Sequence, residues 1–221
     1  MTIRRSPPSQ ASLRPGFSGR PGIAFLILAV MAAAIACRAP AQATSLPSLT
    51  PTSPAEALDS APPGWTVYRD LDHGFGFWYP ADARVTSATG DQAARIEFLR
   101  QNPTNVVEES LTVRVGGMEN GCRGPLEQEF DPAGVESRDV ELDGAAFIRQ
   151  THSGVAAGTA VLRVVYSTSR GNECVSLDFT LSTFDVANLD PTQFPNPPAS
   201  IDPAVEQQLF EEIAASLRWL P

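Results

Sequence analysis

From Trp65 to the C-terminus, apolar and polar residues alternate with period two in most segments, the pattern of strands that bury one face. The clearest case is the stretch 159–182. Leu162, Val164 and Tyr166 share one face of its first half, and Val175, Leu177 and Phe179 share one face of its second. A turn at Ser169-Arg170-Gly171-Asn172 sets Tyr166 opposite Val175, Val164 opposite Leu177 and Leu162 opposite Phe179. The reverse side then pairs Arg163 with Asp178 and Val165 with Ser176, so apolar meets apolar and opposite charges meet. Further strands are predicted over 66–69, 75–79, 95–100, 111–115, 137–142 and 145–150, with Asp143-Gly144 as a tight turn between the last two. Segments 116–125 and 184–200 predict loops, the second carrying Pro191, Pro195, Pro197 and Pro198. After them the period lengthens. Asp202 suits a helix cap and Pro203 the first helical position, and Val205, Leu209, Ile213 and Leu217 follow at i+4 steps. Phe210 and Leu220 widen that stripe, which is expected to pack on the sheet as core.

The pattern upstream of Trp65 is of another kind. Residues 23–36 form an unbroken apolar run that ends on Cys37, after a leader holding Arg4, Arg5, Arg14 and Arg20 and no acidic residue. A basic start, a short apolar stretch and small residues before a break make an export signal. The run is too short for a bilayer-spanning helix, which needs about 20 residues. Two processing routes fit. Ala34-Ile35-Ala36-Cys37 resembles a bacterial lipobox, which implies cleavage before Cys37 and a lipid on its thiol; Ala34 stands where leucine is usual. Ala41-Gln42-Ala43 offers ordinary secretory cleavage instead. Residues 38–64, rich in Ala, Pro, Ser and Thr, bury too little apolar surface to offset chain entropy and read as an extended, proline-stiffened tether. An arm lying on the domain is the alternative. The chain therefore divides into 1–36 signal peptide, 37–64 lipidated cysteine and tether, and 65–221 folded domain.

Charge and cysteines narrow the partners. The chain has no lysine; without its leader it keeps 12 arginines against 25 acidic residues, a formal net charge of −13. Such a surface argues against nucleic acid and against docking on anionic lipid headgroups, because both need a basic footprint. Beyond Cys37 there remain Cys122 and Cys174, an even pair in an oxidising compartment, which predicts a disulfide.

Trp65-Thr-Val-Tyr68 followed by His73-Gly-Phe-Gly-Phe-Trp-Tyr-Pro80-Ala-Asp82 resembles the opening of the PsbP-like proteins and related bacterial lipoproteins. The closing stretch Phe210-Glu-Glu-Ile-Ala-Ala-Ser-Leu-Arg218 is similar to the last helix of that group, and Ala83 stands where the family often has tryptophan. The resemblance covers both ends of the domain and not its middle. It implies an α+β fold, an antiparallel β-sheet flanked by helices with the C-terminal helix packed on the sheet. It carries over no metal ligand.

Candidate chemistry concentrates in aromatics. Trp65, Tyr68, Phe75, Phe77, Trp78 and Tyr79 fall within fifteen of the 221 residues. Phe75, Phe77 and Tyr79 share one face and read as core; Trp78 points the other way beside Gly76, where a flat stacking surface for a sugar ring or peptide is available unless the chain covers it. Trp65 and Tyr68 are counted with Trp78 as the candidate binding surface. Asp70, Asp72 and His73 fail the calcium-loop pattern, and a transition-metal site with them needs His152 brought near by the fold. No nucleophile elbow, zinc-protease helix or phosphate loop occurs, and the adjacent pairs Glu108-Glu109 and Glu211-Glu212 point apart in regular structure. The expected protein is a non-catalytic, membrane-anchored envelope lipoprotein that binds or supports another envelope component, with no cofactor. A small-ligand or glycan module is its first rival, a metal protein or enzyme its second.

Overall fold

The computed structural model describes residues 53–221 apart from 88–91 and 119–120; the cleavage sites, Cys37 and residues 37–52 lie outside the described residues. Among the described residues ten strands form two antiparallel sheets. β1 (Trp65–Asp70), β2 (Phe75–Pro80) and β10 (Arg218–Trp219) make a small sheet in the order β1-β2-β10. The large sheet runs β3-β4-β5-β9-β8-β7-β6, with β3 at Arg84–Ser87, β4 at Gln92–Glu97, β5 at Val106–Gly117, β6 at Glu136–Leu142, β7 at Ala145–Ala156, β8 at Thr159–Arg170 and β9 at Glu173–Phe184. A short helix, α2 (Leu126–Glu129), follows β5, and helix α3 (Pro203–Ala215) packs beside the small sheet, so the core lies between two layers, as an α+β fold requires. Its fully buried side chains include Phe75 and Phe77 from β2, Leu111 and Val113 from β5, Leu177 and Phe179 from β9, and Phe210 and Ile213 from α3. Phe210 stacks on Phe179 at 4.5 Å, which docks the helix on the middle of the sheet.

The hairpin register departs from expectation by one pleat repeat. Arg170 pairs with Glu173, so only Gly171 and Asn172 turn, and Gly171 sits at φ +62°. Glycine at the first central position gives a two-residue turn whose twist matches the strands, and this outcompetes the wider turn expected. Tyr166 therefore faces Leu177, Val164 faces Phe179 and Leu162 faces Leu181. The slip is two residues, so every side chain keeps its expected face. Arg163 now lies opposite Thr180 but still reaches Asp178 along the diagonal, Nη2 to Oδ2 2.5 Å.

On α3, Asp202 caps through its carboxylate to the Ala204 N–H at 2.9 Å. Its buried stripe is rotated from the expected one: Val205 is 60% exposed while Glu206, Phe210, Ile213 and Ala214 are buried.

The tether expected through residue 64 ends earlier. α1 (Pro54–Asp59) begins at a capping box in which Ser53 and Glu56 bond each other's backbone N–H, and it buries Leu58 completely. That helix lies against β2 and β10 as the first element of the folded unit, because one leucine and the cap outweigh the proline-rich composition around them.

Candidate functional site

β1 and β2 pair with Val67 opposite Trp78 and Trp65 opposite Pro80, which puts both indoles on one face of the small sheet, Trp65 half-buried against the edge of the core. There they line a pocket of about 360 Å³ closed by Pro62 after α1, by Asp143 in the β6–β7 turn, and by Glu212, Ser216 and Arg218 at the end of α3. Four separate stretches of chain meet at this point. Trp78 is held from two sides: its indole N–H donates to the Leu58 carbonyl at 2.9 Å and its backbone N–H to Ser216 Oγ at 2.8 Å. Ser216 in turn donates to the Ile213 carbonyl at 2.7 Å, so the helix end fixes the strand. Arg218 pairs with Asp143 and gives its other guanidinium nitrogen to the Ala215 and Leu217 carbonyls at 2.8 and 2.9 Å. These bonds fix Trp78 and Arg218 in a preformed pocket that Trp65 also lines.

The three aromatic candidates do not stay together. Tyr68 points to the core side of β1, with ring centroids 5.0 Å from Phe77 and 6.2 Å from Phe75, and burial pushes its hydroxyl up to about 12. The open stacking face expected beside Gly76 is also filled. Leu58 occupies it so closely that a Cβ on Gly76 would lie 2.8 Å from Leu58 Cδ1 and 2.8 Å from the Tyr68 carbonyl oxygen. Only a glycine lets α1 sit there, and Trp78 is presented to the pocket alone.

The two histidines belong to different neighbourhoods. His73 closes the β1–β2 turn, its Nδ1 2.9 Å from Asp70 Oδ2. His152, on β7, stacks on Phe130 at 3.8 Å with Nδ1 3.0 Å from the Gly134 carbonyl. Among the described residues no group of three His, Cys, Asp or Glu side chains is placed to hold a metal ion.

A buried ionic cluster was missed in the sequence. Glu108 and Glu109 do point apart, as strand geometry demands: Glu108 bonds Arg95 at 2.7 Å, while Glu109 turns inward, 5% exposed, onto Arg100. Arg100 also binds Glu206 of α3 at 2.7 Å. One guanidinium thus serves two buried carboxyls. Burial, together with the neighbouring Glu206, pushes the Glu109 carboxyl up to about 7 even though Arg100 pulls the other way. The outer face of the large sheet holds a second network, where Arg163 bridges Asp178 and Glu129. The predicted disulfide joins Cys122 to Cys174 across a separation of 52 residues and pins the 121–135 segment over that face.

No protein-family model matches the chain, and no curated protein matches it. Solved structures do. A Bacteroides thetaiotaomicron protein aligns at 13% identity and TM-score 0.44 over 70% of this chain and 48% of its own, so the chain spans about half of that protein's length. Cyanobacterial PsbP (CyanoP) from Synechocystis sp. PCC 6803 aligns at 14% identity and TM-score 0.43, over 72% of this chain and 95% of its own. LpqN, involved in cell envelope biogenesis in Mycobacterium tuberculosis, aligns at 13% identity and TM-score 0.39, over 76% and 96%. Likeness at this level concerns the fold, a mostly antiparallel sheet with a C-terminal helix.

Proposed function

We propose that this protein is a non-catalytic, exported binding module, anchored to a bacterial membrane through a lipid on Cys37, which contacts another envelope component through the Trp65–Trp78 pocket. The address rests on the basic, apolar, cysteine-ended leader, and the Cys122–Cys174 disulfide suits an oxidising compartment. The observation that carries the binding role is the pocket. A tryptophan held by two hydrogen bonds, in a pocket of about 360 Å³ that a second tryptophan also lines, is a preorganised contact surface. Paired indoles beside carboxylates also suit a sugar ring, the second reading.

The address is tested by growing the producing cells with an alkyne-tagged fatty acid. The native chain is expected to take up the label and sediment with membranes, and Cys37→Ser to lose both. A label-free native protein whose N-terminus is Thr44 would replace the anchored form with the secreted one.

A further inference from the structure

The charges around the Trp65–Trp78 pocket are not balanced, and their imbalance names an occupant. Arg218 is fully engaged by Asp143 and by two carbonyls at the end of α3. Glu212 is exposed, and among the described residues its carboxylate accepts a hydrogen bond from the Gln208 amide alone, at 3.3 Å. The C-terminal end of the 13-residue helix α3 adds its partial negative charge at Ala215 and Ser216, both on the pocket wall. Asp143, Glu212 and Ala215 are shared with a neighbouring groove of about 600 Å³ between α3 and β6, which adds Glu141 and Glu211 against Arg138 and the buried Arg149, whose guanidinium donates to Gln207. Glu141, Glu211 and Glu212 form no ion pair among the described residues. β6 is the last strand of the large sheet, so its outer edge offers backbone groups to an added extended chain.

Resting on the binding role proposed above, we infer that the pocket receives a basic side chain, arginine or lysine, carried on an extended segment of a partner protein that lies along the acidic groove. The two indole faces attract a cation through the ring quadrupole. Glu212 supplies the counter-charge, and the net −13 of the processed chain steers a basic partner in. The volume accommodates one long side chain with flanking backbone. An anionic headgroup meets the same charges as repulsion.

The test uses the processed, disulfide-bonded chain and Nα-acetyl-arginine methylamide, with the uncharged citrulline analogue and triacetylchitotriose as comparisons. The three tryptophans, Trp65, Trp78 and Trp219, give three indole N–H resonances to follow. The arginine probe is expected to move those of Trp65 and Trp78 and leave Trp219 in place, with about tenfold tighter binding than citrulline at low salt. Glu212→Lys, at an exposed position that leaves the fold intact, is expected to abolish the difference. Equal binding of arginine and citrulline, or binding that survives Glu212→Lys, overturns the cationic occupant. Saturable shifts of the same two indoles with the saccharide alone overturn it too, while preserving the pocket as a contact site. Silence of both indoles toward all three probes also overturns it, and the contact role is then judged separately by cross-linking in the cell.

Discussion

Replacing Cys122 and Cys174 together by serine is expected to lower the unfolding free energy by about 4 kcal/mol, from the entropy that a 52-residue closure removes from the unfolded chain. The bond holds a segment that is otherwise tied to the sheet by the Glu129–Arg163 ion pair and the Phe130–His152 stack. Leu126 is its buried anchor, and Gly124 lies so close to the sheet that a Cβ would stand 2.5 Å from Val165 Cγ1 and 2.7 Å from Gln150 Oε1. Denaturant melts of the oxidised protein and the double serine variant measure the difference. Hydrogen exchange is expected to rise first across 121–135, with the sheet still protected. A loss below about 1 kcal/mol would mean that packing alone holds this segment.

The Glu109 carboxyl sets the second large effect. Its folded-state value, about 7, lies above the ordinary 4.5, because burial disfavours its charge and Glu206 stands beside it. The folded state therefore binds the proton more tightly than the unfolded one. The stability this confers is complete below about pH 4.5 and is lost as the pH rises to about 7. The decline attributable to this one carboxyl reaches up to about 3 kcal/mol. Glu109→Gln keeps an acceptor for Arg100 without the charge, so its stability is expected to run flat where the native protein falls. It should equal or exceed the native protein at pH 8. Parallel profiles for the two proteins across pH 4.5–7 would show that Glu109 does not couple folding to pH.

What the sequence revealed followed periodicity. Strand faces, the Asp143-Gly144 turn, the cap of α3 and the cysteine pair all depend on neighbours within a few residues or on parity, and the structure shows each of them. The hairpin register hinged on one glycine with positive φ, which alternation cannot see because a two-residue slip preserves every face. α1 had a readable signal in Ser53-Pro54-Ala55-Glu56, a capping box hidden inside a proline-rich stretch. Tyr68 falls with Trp65 and Trp78 in the surface expected from sequence, whereas the structure sets it against Phe75 and Phe77 on the core side of β1. The other walls of the pocket come from the β6–β7 turn and the end of α3, at Asp143 and Arg218, which no local pattern joins to Trp78. The Arg100–Glu109–Glu206 cluster was illegible for the same reason: its members sit after β4, on β5 and on α3. Glu206 took a core position that the i+4 stripe had assigned to Val205.

The central claim is that the pocket face touches another envelope component. A photo-reactive amino acid placed at Glu211, exposed in the groove beside the pocket, tests it most directly in cells making the full-length chain. The account predicts a discrete adduct in the membrane fraction, cross-linked through a segment bearing arginine or lysine and lost when Glu212→Lys is added. The same reagent at Asp190, an exposed loop position, should give none. Equal adducts at the two positions, or none at Glu211, would contradict it.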